Sequence, residues 1–235
     1  MTPLIIIPAR GGSKGIPRKN IVALADRPLI AYTIDVARAI ADDNHIILSS
    51  DDDTIIDTAR SLGLPVDYRR PDVLATDTAG SQGVIIDAMD YADSRSIAYD
   101  CVILLQPTSP LRSVDDVKAT LKAYSPDIDM AVTVVEASAN PYYNCYETSA
   151  EGYLHIAKGD GMLTRRQDAP KAYEINGAVY VINPASLRSM PMGAFTRRRP
   201  VVMDAIRSID IDTPLDLLIA ETILRQNLQA LSDVK

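Results

Sequence analysis

The sequence predicts a doubly wound α/β domain built on a mostly parallel sheet, and three observations carry that expectation. Apolar strand-like runs alternate with segments of helical periodicity along most of the chain. Two of these runs, Leu4 to Ile7 and Cys101 to Leu105, are apolar without interruption, as in strands covered on both faces. The segments just after the runs are polar or glycine-rich, and that is where an open α/β sheet binds its ligands.

Taken in order, Leu4 to Ile7 is a short buried strand that feeds a loop over 9–20. Leu29, Thr33, Val36, Ala37 and Ile40 then recur at helical spacing. His45 to Ser50 is a strand ending in Asp51, Asp52 and Asp53, followed by a helix to Leu62 and an extended stretch from Pro65 to Tyr68. Gly80 to Asp93 is helical, with Val84, Ile85, Ala88 and Met89 on one face, and it leads into the strand Cys101 to Leu105. Ser113 opens the next helix, with Asp115 and Asp116 in the first turn where the helix dipole favours acids. Met130 to Val135 is another strand. A β-α-β rhythm of this kind implies right-handed crossovers.

The rhythm breaks between Ala137 and Tyr173, where polar residues, glycines and Tyr142, Tyr143, Tyr146 and Tyr153 replace helical periodicity. This predicts a small inserted dimerisation or lid segment over about 137–172. Strand character resumes at Ala178 to Ile182, and the chain closes in a helix from Thr213 toward Leu231. Without an internal repeat or a low-complexity linker, 1–235 is expected to be one domain.

With 235 residues, 47% of them apolar, the chain can bury a sizeable core. Its net charge of −7 disfavours a nucleic-acid surface. Cations nevertheless gather at 10–19, at Arg69 and Arg70, at Arg165 and Arg166, and at Arg197 to Arg199. Cys101 and Cys145 are too few for a disulfide framework and read as reduced thiols. The N-terminus has no basic stretch, and Leu4 to Ile7 is too short for a signal peptide or a membrane span, so a cytoplasmic protein is expected.

The loop Pro8 to Asn20 carries three glycines and four cations, Arg10, Lys14, Arg18 and Lys19. Gly11, Gly12 and Gly15 can take positive φ, so their amides can turn toward one anion while the cations supply charge. Lys14 is followed by Gly15, so this is not a Walker A loop, and no G-x-G-x-x-G string occurs. The loop reads as a nucleoside triphosphate site, against the alternative of a plain basic surface loop. In Ser208 to Pro214, an extended backbone places Asp210 and Asp212 on one side, suited to holding Mg²⁺ against phosphate oxygens. The competing role there is N-capping of the last helix by Asp212 or Thr213. Gln106 stands between a ligand contact and an ordinary turn, and Arg69 and Arg70 between function and solvation, whereas Arg197 to Arg199, a charge run beside Pro200, reads as solvated. His45 and His155 have no partner at zinc-ligand spacing.

Six stretches in order resemble the motif series of the N-acylneuraminate cytidylyltransferases, the CMP-sialic acid synthetases, and their legionaminic acid relatives. They are the Ala-Arg-x-x-Ser-Lys-x-x-Pro-x-Lys-Asn loop at 9–20, Arg70-Pro71 with Leu74-Ala75-Thr76-Asp77-Thr78, Leu105 to Arg112, Arg166-Gln167, Asn176 to Tyr180, and Ser208 to Thr213. The resemblance covers nearly the whole chain. It implies a Rossmann-like nucleotidyltransferase fold and transfer of CMP from CTP to the anomeric hydroxyl of a nine-carbon 2-keto sugar acid, with release of pyrophosphate. On matching positions, Arg10, Ser13, Lys14, Lys19 and Asn20, with the Gly11 and Gly12 amides, would hold the nucleotide, and Arg70 and Ser81 would complete its pocket. Gln106, Arg166, Gln167, Asn176 and Tyr180 would face the sugar acid, and Asp210 and Asp212 would hold Mg²⁺.

Arg10, Lys19 and Asp212 are the expected catalytic residues, Asp212 taking the hydroxyl proton directly or through bound water. The resemblance further implies a homodimer whose inserted segment reaches the partner's site. The chain departs from the bacterial sialic acid enzymes at Glu174, where an Arg is frequent, and at Asn140 to Tyr143, where a Lys is common. Two lost cations leave the acceptor open among N-acetylneuraminic, deaminated neuraminic, legionaminic and pseudaminic acids, with 3-deoxy-manno-octulosonate or a sugar-1-phosphate as the rival acceptors; the other alternative, a non-catalytic nucleotide-sugar binding protein, is disfavoured by the intact Asp210 and Asp212.

Overall fold

A computed structural model describes residues 1–13, 15–76 and 78–226. The strands are β1 (Pro3–Pro8), β2 (Ala23–Leu24), β3 (Arg27–Pro28), β4 (Ile46–Ser49), β5 (Cys101–Leu104), β6 (Met130–Glu136), β7 (Tyr146–Thr148), β8 (Leu154–Ile156), β9 (Tyr173–Ile182) and β10 (Arg198–Val202). The helices are α1 (Leu29–Arg38), α2 (Asp53–Ser61), α3 (Ser81–Ser94), α4 (Val114–Ala123), α5 (Pro184–Ser189) and α6 (Pro214–Gln226). The part of the last helix expected toward Leu231 lies outside the described residues.

The main sheet has the order β10-β6-β9-β5-β1-β4. β1 pairs in parallel with β4 and β5, and β10 in parallel with β6. β9 runs antiparallel between β5 and β6, so the sheet is mostly parallel around one reversed strand. β1 shows why its apolar run is unbroken. Ile5 and Ile7 enter one core with Ile30 and Ile34 of α1, Ile55 of α2 and Val117 of α4. Leu4 and Ile6 enter the core on the opposite face with Ile85, Ala88 and Met89 of α3. Successive strand residues point to opposite faces, so a strand with helices on both sides must be apolar at every position. Each such buried side chain contributes about 1.5–3 kcal/mol.

A third apolar cluster bears directly on the site. Ile16 from the loop after β1, Leu24, Leu29, Ile211 and Ala220 of α6 pack together, pinning that loop to the segment before α6 across some 200 residues of sequence. Between β2 and β3, Ala25 and Asp26 both take positive φ, 45° and 68°, as a tight two-residue hairpin turn requires.

Several helix starts follow from local chemistry. Ser113 and Asp116 form a reciprocal capping box at the head of α4. Asp52 caps α2 through the amides of Thr54 and Ile55, and Asn183 caps α5. The charge run at Arg197 to Arg199 is exposed, as expected of a solvated run, yet Arg198 and Arg199 also open β10, and Pro200 is accommodated because β10 lies at the edge of the sheet. The segment between β6 and β9 adds no strand to the main sheet and carries the small β7-β8 hairpin. No helix among the described residues is long and apolar enough to cross a membrane.

Candidate functional site

Beyond the carboxyl ends of β1 and β5 opens a cavity of about 540 Å³, lined from four separated stretches of sequence. Arg10, Ser13, Gly15, Lys19 and Asn20 come from the loop after β1. Arg70 and Ser81 come from the region before α3, Gln106, Pro107 and Thr108 from the turn after β5, and Asp210 and Asp212 from the segment before α6. Nine of the residues singled out from sequence therefore face one space: Arg10, Ser13, Lys19, Asn20, Arg70, Ser81, Gln106, Asp210 and Asp212. Lys14 and Asp77 lie outside the described residues.

The loop after β1 is held by its own hydrogen bonds. Asn20, buried, donates its side-chain amide to the Arg10 carbonyl at 2.9 Å and closes the loop from within. The Gly11 amide donates to the Asp51 carboxylate at 3.1 Å. The glycines do not serve as expected. Gly11 and Gly12 do not take positive φ, and among the described residues of the loop it is Arg18 that is left-handed, at φ 52°. Gly15 serves close approach instead: a Cβ on it would overlap the Asp212 carbonyl oxygen, so a side chain there would push the loop off the aspartate segment. Gly11 and Gly12 are not among the residues lining the cavity.

Arg70, expected to be either solvated or functional, is 4% exposed. Its Nε donates to Ser49 Oγ at 3.0 Å and its Nη2 to the Ser49 carbonyl at 2.6 Å, so the last residue of β4 aims it into the cavity. Burial lowers its pKa, and the nearby Asp51 carboxylate opposes that shift. Ser49 was missed in the sequence because a serine ending an apolar strand carries no local sign of its distant partner.

The capping question at α6 is resolved by Thr213. Its hydroxyl accepts from the Asp216 amide at 3.3 Å, while the Asp216 carboxylate accepts from the Thr213 amide at 2.7 Å. Asp212 is thereby left for the cavity, where its Oδ1 meets Lys19 Nζ at 2.8 Å. Asp210 lies deeper. Burial raises its pKa, with Asp212 adding to the shift, and its Oδ1 is buried without a hydrogen-bond partner. Ile211 between them is fully buried, and its amide donates to the Thr108 carbonyl at 2.8 Å, tying this segment to the turn after β5.

The other residues expected to face the acceptor are placed differently from Gln106. Arg166 and Gln167 line a separate cavity of about 370 Å³ with Glu136, Asn140 and Lys171, and Arg166 donates to the Ala137 carbonyl at 2.9 Å. Asn176 is buried in a polar knot: its Oδ1 accepts from Thr133 Oγ1 at 2.7 Å and its Nδ2 donates to Ser208 Oγ at 2.9 Å. It thus braces the start of the Asp210–Asp212 segment from behind. Tyr180 is half-buried on β9 between Val132 and Leu104, and its pKa is raised by burial and then by Asp210.

The cavity therefore joins several cations to two carboxylates, one of them carrying an unpartnered buried oxygen. No group of three or more His, Cys, Asp or Glu able to hold a metal occurs among the described residues. A hard cation here would take one or two carboxylate oxygens and draw its other ligands from phosphate and water, as Mg²⁺ does in phosphoryl-transfer sites.

The family described as "Cytidylyltransferase" matches residues 4–232. A "CMP-N,N'-diacetyllegionaminic acid synthase" of Legionella pneumophila is 32% identical over 98% of this chain and 100% of its own length. An "N-acylneuraminate cytidylyltransferase" of Streptococcus agalactiae is 34% identical over 93% of this chain, which spans about half of that longer protein, 52%. Among solved structures, a CMP:2-keto-3-deoxy-manno-octonic acid synthetase complexed with CTP superposes with a TM-score of 0.71 over 97% of this chain and 100% of its own, at 18% identity, a likeness of fold. The chain belongs to the cytidylyltransferase family.

Proposed function

We propose, proceeding from membership in that family, that this chain transfers CMP from CTP to the anomeric hydroxyl of a nonulosonic acid and releases pyrophosphate. The observation that carries the proposal is the meeting, in one cavity, of the Arg10–Lys19 loop with Asp210 and Asp212. Nucleotidyl transfer needs in-line geometry and stabilisation of phosphate charge more than it needs a covalent intermediate, and that is what these groups can supply.

Arg10, Lys19 and Arg70 take the phosphates and the nucleoside, with Ser13 and Ser81 as hydrogen-bonding partners. As the triphosphate arrives, Lys19 exchanges Asp212 for a phosphate oxygen, which frees the carboxylate. Asp210 and Asp212 are the residues that would hold Mg²⁺, which neutralises charge on the phosphates as the bond to pyrophosphate breaks. The acceptor hydroxyl oxygen attacks the α-phosphorus, the bond from that phosphorus to the pyrophosphate oxygen breaks, and the hydroxyl proton passes to Asp212. Gln106, at the edge of the same cavity, contacts the sugar acid.

We place Arg166 and Gln167 in the acceptor site of a second copy of the chain, in a homodimer. The excursion that carries them leaves Tyr146, Tyr153, Leu154 and Met162 exposed, more apolar surface than a segment with so little core of its own would leave bare. A cytoplasmic location is proposed with it, in keeping with the unpaired Cys101 and Cys145.

The test is pyrophosphate release with Mg²⁺ and CTP against N-acetylneuraminic, deaminated neuraminic, legionaminic, pseudaminic and 3-deoxy-manno-octulosonic acids, each CMP-sugar being confirmed by mass spectrometry. Turnover with a nine-carbon acid supports the proposal and names its acceptor. Turnover with 3-deoxy-manno-octulosonic acid alone replaces the acceptor class, and silence in folded, CTP-binding protein removes the proposed reaction.

A further inference from the structure

Arg112 is a charged side chain for which the proposed reaction has no use. It is 3% exposed. Its Nη1 donates to the Gln106 carbonyl at 3.1 Å and to the Ala178 carbonyl at 2.8 Å, and its Nη2 donates to Thr33 Oγ1 at 2.7 Å. Its Nε is buried without a partner. None of these acceptors is a carboxylate. The acid that acts on it from a distance, Asp116, is itself bonded to Ser113 and Arg207. Burial pushes its pKa down to about 10, so it stays charged at neutral pH.

A buried guanidinium resting on neutral acceptors is costly, and packing alone would be served better by an apolar side chain. What the guanidinium adds is a link between two backbone segments. Gln106 follows β5, whereas Ala178 lies in β9 directly after Gly177. Gly177 takes φ +74°, and a Cβ on it would stand 2.6 Å from Gln106 Oε1 and 3.9 Å from Asp210 Oδ2. The Gln106 amide therefore rests on the bare Cα of Gly177, beside Asp210. A single nitrogen of Arg112 fixes both the residue and the platform beneath it.

We propose that Arg112 is a positioning residue for the acceptor side of the cavity, holding the Gln106 and Ala178 carbonyls so that the Gln106 amide stays seated on Gly177 beside Asp210. This rests on the proposal that Gln106 contacts the acceptor. Lys cannot replace the function, because a point ammonium lacks the planar fork that reaches Thr33 and both carbonyls together.

The test compares wild type, Gln106→Ala, Arg112→Lys and the double variant. KM is measured separately for CTP and for N,N'-diacetyllegionaminic, N-acetylneuraminic and pseudaminic acids, with folding followed by thermal melting. Both single variants are expected to raise the acceptor KM about 10-fold and to leave the CTP KM within about 2-fold, and the double variant to be no worse than Gln106→Ala by more than about 2-fold. Arg112→Lys raising both KM values alike, or effects that multiply in the double variant, overturns the proposal in favour of a structural role.

If Gln106→Ala leaves the acceptor KM unchanged, or neither these three acids nor deaminated neuraminic acid turns over, the acceptor assignment falls and the proposal with it. If Gln106→Ala raises the KM and Arg112→Lys does not, the proposal alone falls. Should Arg112→Lys fail to fold, Thr33→Val removes one acceptor of the fork at nearly constant shape. It is expected to raise the acceptor KM about 3-fold in wild type and not in Gln106→Ala, and no change in wild type overturns the proposal.

Discussion

The loop after β1 and the excursion after β6 both leave the main sheet carrying cations, but they are finished to different degrees within one chain. The loop is closed by Asn20 on Arg10, anchored by Ile16 in an apolar cluster, and joined to the far end of the sequence through Lys19 and Asp212. The excursion closes its own neck through the Ala137 amide on Ala172 and Arg166 on Ala137, meets the sheet through Lys171 on Glu136 of β6 at 3.0 Å, and exposes Tyr153 by 76% and Leu154 by 69%. A segment whose bonds close inside the chain can build its half of a site alone. A segment that leaves its apolar side chains in water calls for a second surface, and Arg166 and Gln167, the residues we propose for the acceptor, are displaced with it.

The largest effect should come from the cavity itself. Asp212→Asn is expected to lower kcat about 1,000-fold with the CTP KM within about 3-fold, because it removes the group that takes the proton at the reacting centre while Asp210 and the cations remain to bind the nucleotide. Near-normal turnover in steady-state assays would remove Asp212 from the reaction. Next comes Arg70→Met, expected to raise the CTP KM about 100-fold, a buried charged contact being lost. Ser49→Ala should give a weaker version of the same change, since it frees the guanidinium without deleting it.

The excursion is sharpened by a mixing experiment. Arg166→Ala is expected to raise the acceptor KM about 10-fold. Mixing Arg166→Ala with Lys19→Ala subunits, after unfolding and refolding together, should restore turnover at low acceptor concentration above the sum of the two proteins. No restoration would place Arg166 in the site of its own chain.

The smallest effect lies in the scaffold that both regions share. Asp129, before β6, accepts the Arg197 and Thr196 amides and the Ser186 hydroxyl, and these bonds lower its pKa, the Arg197 amide foremost. A carboxyl held low in the folded state stabilises the fold above its unfolded pKa, and that contribution is lost as pH falls through the lowered folded value. Thermal melts from pH 6 downward should therefore show a shallower acid loss in Asp129→Asn than in wild type. An unchanged slope would mean Asp129 does not titrate as described.

The sequence made legible what depends on local pattern. Val84, Ile85, Ala88 and Met89 share the buried face of α3 as their spacing requires, and the residues just after β1 and β5 meet because parallel strands end on one edge. Strand direction is not written in apolar runs, so the reversal of β9 was not readable, and the arginines of β10 masked a strand that pairs along one side alone. In the cavity and behind it, residue types were legible and their partners were not. Arg70 is fixed by Ser49, Asn176 is spent on Thr133 and Ser208, and Arg112 holds carbonyls that any residue could have presented.

Calorimetric titration of CTP with Mg²⁺ into wild-type protein and into Lys19→Ala tests the central claim most directly, that the loop after β1 and the aspartate segment together form a nucleotide site. Binding in wild type and an affinity weaker by about 100-fold in the folded variant is the predicted result, the loss of a charge-assisted phosphate contact. Equal affinity in the two proteins would contradict it and move the nucleotide away from this cavity.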